Sequence, residues 1–224
     1  MKNRNTGKYS ITRRIKHVAF ISALGMAFMI ALPHIAHAQV VTPPPVPGTL
    51  NPPDGSVAFL IGHAFGTQDY VCAPSATGGV AFVLTTPEAV LFDNPARRII
   101  NHFFSANPFE SGMVRATWQS TRDASAFWGK LSASATFASN PEFVAKDAIA
   151  WLGLSRAGVV GGLEGGGILS TTTFVQRVNT VGGLAPTVGC SSPDDLGNTA
   201  FVPYQADYVF FNNPTATTAA SARQ

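Results

Sequence analysis

Apolar residues along this chain come in short runs divided by turn residues, and no long stretch sustains a 3.6-residue period. The pattern predicts strands over 56–61, 67–72, 79–84, 89–92, 98–104, 113–118, 126–137, 148–155, 171–181 and 201–211. Asn-Pro pairs starting at 51, 94, 107, 140 and 213 punctuate these runs, because proline disfavours helical backbone at the residue before it. Only 141–148 reads as a short helix. About ten strands without intervening helices predict an all-β fold, an antiparallel β-sandwich or barrel.

The cleanest alternation lies in the last run. Val202, Tyr204, Ala206, Tyr208 and Phe210 share one face and should point inward, with Gln205 and Asp207 outward. Tyr204 and Tyr208 therefore read as core residues whose hydroxyls need partners. The run TFVQRVNTV (173–181) is different, because hydrogen-bonding side chains fall on both faces. Phe174, Gln176, Val178 and Thr180 share one face, while Val175, Arg177 and Asn179 share the other. Such a pattern suits a strand near a sheet edge or loop, with Gln176 and Asn179 bonding exposed main chain and Arg177 paired with a carboxylate such as Asp207. The competing reading makes Gln176, Arg177 and Asn179 ligand contacts.

The ends change the charge. Residues 1–38 combine a cationic leader, an apolar core over 18–32 and the small residues Ala-His-Ala at 36–38, the arrangement of a secretory signal peptide cleaved before Gln39. Six of the 15 Lys and Arg fall in that leader and no Asp or Glu does, so the remainder carries nine against 12, or −3. Nothing resembles a cationic stripe for nucleic acid, and no membrane span is expected after signal removal. Residues 39–54 read as a proline-rich linker, 55–211 as a single β-rich domain, and 212–224 as a disordered tail. Cys72 and Cys190 are the two cysteines, and in an exported chain they are expected to form a disulfide. A secreted or periplasmic location follows from the same signal.

The segments 64–72, 86–93, 101–104, 116–119, 150–154, 173–190 and 202–211 occur in the order seen in a secreted bacterial and fungal family catalogued as domain of unknown function 3455, which this chain resembles over about residues 47–211. Its Gln-Arg-Val-Asn-Thr-x-Gly-Gly-x-Ala-Pro-x-x-Gly-Cys signature spans 176–190 here. The resemblance implies membership and no activity. Two loops depart from the family pattern: Gly-Pro-Thr-Trp reads Arg115-Ala116-Thr117-Trp118, and Asp-Gly-Ser reads Asp123-Ala124-Ser125.

Some fungal members of that family carry a dehydrogenase label. In 158–167 no register satisfies the Gly-x-Gly-x-x-Gly fingerprint, and the segment reads as a hairpin loop between strands rather than a βαβ turn. The Gly-Leu-Ser-Arg-Ala at 153–157 lacks the final glycine of a nucleophile elbow. No metal-ligand spacing occurs, and Glu88 and Asp93 should face opposite ways rather than flank a glycosidic bond. No cofactor or metal is expected. Beyond the leader only His63 and His102 remain, and His102, which belongs to the family pattern, is the catalytic candidate. Trp118, Gln176, Arg177 and Asn179 are the ligand-binding candidates. Two readings stand: a non-catalytic binding or structural module for a carbohydrate or other small ligand, and an enzyme with a site around His102. A groove with an exposed tryptophan would favour binding, and a pocket joining His102 to a carboxylate or Arg177 would favour catalysis.

Overall fold

The computed structural model describes residues 41–93 and 97–214. Eight strands, β1 (Val57–Pro74), β2 (Val80–Phe92), β3 (Arg98–Asn107), β4 (Met113–Ser120), β5 (Ala126–Ala135), β6 (Trp151–Val160), β7 (Phe174–Gly182) and β8 (Thr199–Asn212), pair antiparallel in sequence order. The last returns to the first, with Val57 opposite Asn212 and Val71 opposite Thr199, so the sheet closes into a barrel. Closure leaves no unpaired edge, which decides between barrel and sandwich.

Fewer and longer strands appear than the sequence predicts, because residues read as breaks are strand interior. The runs at 56–61 and 67–72 fuse into β1, and those at 79–84 and 89–92 fuse into β2. Gly66 shows why: a Cβ there would lie 2.0 Å from the Glu88 carbonyl oxygen, so the glycine permits a close approach of β2 to β1.

Two apolar clusters form. Leu91, Ile100, Trp118, Phe127, Val175, Tyr208 and Phe210 pack inside the barrel. Leu50, Val144, Trp151, Phe174, Val178, Val209 and Phe211 make a second cluster from the opposite faces of β7 and β8. The latter explains two corrections. The proline-rich segment 39–54 is more than a linker, since a 3-10 turn at Gly48–Leu50 buries Leu50 completely, a contribution of roughly 2 kcal/mol. Residues 141–148 form consecutive turns instead of a helix, starting with Val144 N–H to Asn140 O and seating Val144 in the same cluster. At the other end β8 runs through Asn212 into what was read as tail, while the expected signal peptide and residues 215–224 lie outside the described residues.

Cys72 and Cys190 are disulfide-bonded, with Cα atoms 5.4 Å apart. The bond joins the end of β1 to the loop between β7 and β8.

Candidate functional site

The barrel is filled at one end and hollow at the other. Leu91, Ile100, Phe127, Val175 and Phe210, all fully buried, close the filled end. Above them lies an aromatic layer in which the His102 ring stacks on Trp118 at 4.3 Å and 10°, and Tyr208 stands 5.0 Å from His102 and 5.4 Å from Trp118. Gly129 on β5 makes room for it, because a Cβ there would meet Trp118 Cζ3 at 2.9 Å. Beyond this layer, toward the end where β1, β3, β5 and β7 finish, a cavity of about 550 Å³ opens, with Leu84, Phe104, Val114, Leu152 and Leu184 among its apolar walls.

Its polar wall is built by β1, β7 and β8. Alternation on β8 directs Tyr204 and Tyr208 inward as expected, and their hydroxyls lie 3.3 Å apart. Opposite Tyr208 in register is Arg177, and opposite Phe210 is Val175, so Arg177 faces the interior. Its Nε and Nη2 both donate to the Ala150 carbonyl, at 3.1 and 2.8 Å, and the guanidinium lies beside the Tyr208 hydroxyl. The expected pairing of Arg177 with Asp207 is therefore wrong. A bulge between Val178 and Val181, with Asn179 in the left-handed region at φ 51, sends the Asn179 amide outward to Asp207 Oδ2 at 2.8 Å. Asp207 is shared with His63, whose Nδ1 lies 2.6 Å from Oδ1. Tyr70 donates to the Gly183 carbonyl at 2.6 Å across the mouth.

The remaining candidates separate. Gln176 faces away from the cavity, beneath the N-terminal segment, where its Nε2 donates to the Leu50 carbonyl at 2.8 Å. Asn179 is on the outer surface, so of the four ligand-binding candidates Trp118 and Arg177 line the cavity and Gln176 and Asn179 do not. Trp118, Trp128 and Trp151 are all buried, leaving no tryptophan on an exposed face among the described residues.

His102 also lines the cavity. Its Nδ1 lies 2.8 Å from the Thr117 carbonyl, which only accepts, so the ring proton sits on Nδ1 and the lone pair on Nε2. Complete burial drives the pKa down to about 3, opposed by the hydrogen bond to the Thr117 carbonyl and helped by the nearby Arg177 charge. The same burial raises the pKa values of Tyr70, Tyr204 and Tyr208. Neutral imidazole and neutral phenols surround a permanent guanidinium cation.

Gln68 was not singled out from the sequence, whereas Trp118 was. Gln68 is 2% exposed, its amide lying against the Tyr204 hydroxyl. Trp118 is 1% exposed, and its Nε1 has no acceptor. Gln68 follows Ala64 and Gly66 at two-residue spacing on β1, a signal that would have turned it inward. Among the described residues no Asp or Glu lines the cavity. Arg115, at its wall, is held by Glu110 through two bonds of 2.8 Å.

A wider depression of about 810 Å³ lies on the loops at the filled end, lined by Arg98, Arg122, Asp123 and Glu164. Much of its polarity is spent within the fold: Arg98 donates to Asn101, and Asp123 accepts from Ser125 and from the Ile168 N–H. No group of three or more His, Cys, Asp or Glu side chains among the described residues is placed to hold a metal ion, and no helix there is long and apolar enough to cross a membrane.

No curated protein and no solved structure matches the chain. A family model described as protein of unknown function (DUF3455) matches residues 52–212. That span covers all eight strands except the flanking N-terminal turn that seals the outer cluster, and the chain belongs to this family.

Proposed function

We propose that this barrel is an exported small-molecule-binding protein whose ligand enters the hollow end. The observation that carries the reading is the cavity of about 550 Å³, within the usual size range of small-molecule sites, where Arg177, His102 and Tyr208 interrupt largely apolar walls. The buried tryptophans speak against a flat stacking platform for carbohydrate and for an enclosed ligand. Export rests on the leader pattern and agrees with a disulfide, and mass spectrometry of the secreted form should find Gln39, or its cyclised form, at the N-terminus.

The cavity also joins His102 to Arg177, the arrangement that would favour catalysis. Binding without chemistry remains the better reading for a stated reason. An imidazole with a pKa of about 3 is a poor base near neutral pH, and its Nδ1 is oriented by a carbonyl rather than a carboxylate. The test is binding of 1-aminoanthracene, a neutral apolar fluorophore, to the wild type and to Ala116→Phe, which fills the cavity from β4. Enhanced emission with the wild type and its loss in a folded Ala116→Phe variant are expected. Equal emission with both proteins would overturn the reading.

A further inference from the structure

We infer that the cavity selects a small apolar monocarboxylate, its carboxylate held by Arg177 and its apolar body lodged against Leu84, Phe104, Leu152 and Leu184. This rests on the binding reading above and adds the chemistry of the ligand.

A guanidinium has five N–H donors; two bond Ala150 O and the Tyr208 hydroxyl lies beside the group, so donors remain for a ligand. None of the ion pairs among the described residues includes Arg177, and no acidic side chain lines the cavity. The contrast with Arg115 is direct, because that arginine, on the same cavity wall, has a bidentate carboxylate partner in Glu110. A part-buried guanidinium on a largely apolar wall, with no acidic side chain beside it, is placed to pair with an anion. The surrounding tyrosines and His102 cannot supply that anion, being neutral.

One uncompensated positive charge fits a monoanion; a phosphate dianion would bring a second negative charge with no cation to meet it. The planar guanidinium fork matches a carboxylate bidentately, which a lone hydroxyl or ketone cannot reproduce. The apolar walls then require the remainder of the ligand to be hydrocarbon, chain or ring.

Two matched pairs of probes test this: octanoate against 1-octanol, and phenylacetate against 2-phenylethanol, titrated calorimetrically. Each pair holds the apolar body roughly constant and changes the head, and comparison between pairs tells a chain from a ring. The wild type should prefer at least one acid to its alcohol by about tenfold or more, the scale of a charge-assisted bidentate contact. Arg177→Met should abolish that preference, weakening the acid far more than its alcohol. Should Arg177→Met fail to fold, the Arg177 Nε–H resonance of the wild type serves instead, shifting with the acid and not with the alcohol. Equal affinity for acid and alcohol in the wild type, a preference that survives Arg177→Met, or an unmoved Arg177 resonance would overturn the inference while the cavity reading stands. Binding of 1-aminoanthracene with no binding of any of the four would also sink the inference alone, whereas failure of all five probes would sink both.

Discussion

The bond between Cys72 and Cys190 spans 118 residues and braces the mouth of the cavity, so its removal should be felt in both stability and binding. In the chain-entropy treatment, closing a loop of that length in the unfolded chain stabilises the fold by about 5 kcal/mol. For a domain of this size 1 kcal/mol corresponds to about 2–4 °C, which puts the melting point of Cys72→Ala/Cys190→Ala about 10–20 °C below wild type. Local unfolding should be smaller than that figure suggests. Cys72 N–H donates to Asn198 O at 2.7 Å and Gly197 N–H to Cys72 O at 3.0 Å, so the far end of the β7–β8 loop stays pinned without the sulfurs. What loosens is the stretch from Gly183 to Cys190, which includes Leu184 on the cavity wall and the Gly183 carbonyl that accepts from Tyr70. Calorimetric melts of wild type and double variant, with a thiol titration of each, measure the effect. A variant melting within about 3 °C of wild type, or two free thiols in the native protein, would refute the reasoning.

Other consequences can be checked independently. Ala124 holds a left-handed conformation at φ 61 where the resembling family has glycine, so Ala124→Gly should raise stability by roughly 0.5–1 kcal/mol in a denaturant titration. Gly66→Val should prevent a cooperative melt, since its Cβ would collide with the β2 backbone at 2.0 Å. His102 has a folded-state pKa of about 3, below its unfolded value, so the unfolded chain binds the extra proton between about pH 6.5 and 3. Stability should therefore be flat above about pH 6.5 and fall below it by up to about 1.4 kcal/mol per pH unit, and the slope should shrink in His102→Gln. Asp123 feels burial, which raises its pKa, but hydrogen bonds from Ser125 and the Ile168 N–H outweigh it and hold the group at about 2. Its contribution is present above about pH 4 and fades as pH falls toward 2, so Asp123→Asn should melt lower at pH 7 and differ little from wild type at pH 2.

Much of the wall could be read from the sequence and little of the cavity. The period-2 run of β8 correctly placed Tyr204 and Tyr208 inside, because a strand with one buried face announces itself. Closure was not legible, since it depends on β1 pairing with β8 across more than 100 residues of chain. The strand count failed at Gly62 and Gly66, where glycine marks crowding between neighbouring strands and not a turn. In β7 the polar groups on both faces were noticed but misassigned. The strand is buried on both sides, by the barrel interior around Arg177 and by the N-terminal turn over Gln176, and the bulge at Asn179 resets the alternation. An edge strand and a strand buried on both faces show the same mixed pattern, and only the covering segment distinguishes them. Leu50 was hidden among prolines that suggested an exposed linker, yet those prolines fix an extended path that delivers it to the outer cluster.

The claim that a ligand occupies the hollow end is tested most directly by the three indole N–H resonances of the wild type during a titration with octanoate. Trp118 lines the cavity and its Nε1 has no acceptor, Trp128 Nε1 is already bonded to Ser105 Oγ at 2.9 Å, and Trp151 belongs to the outer cluster. The account predicts a saturable shift of the Trp118 indole N–H with those of Trp128 and Trp151 nearly still. A Trp118 resonance that stays fixed while octanoate binds, or a shift confined to Trp128 or Trp151, would contradict it.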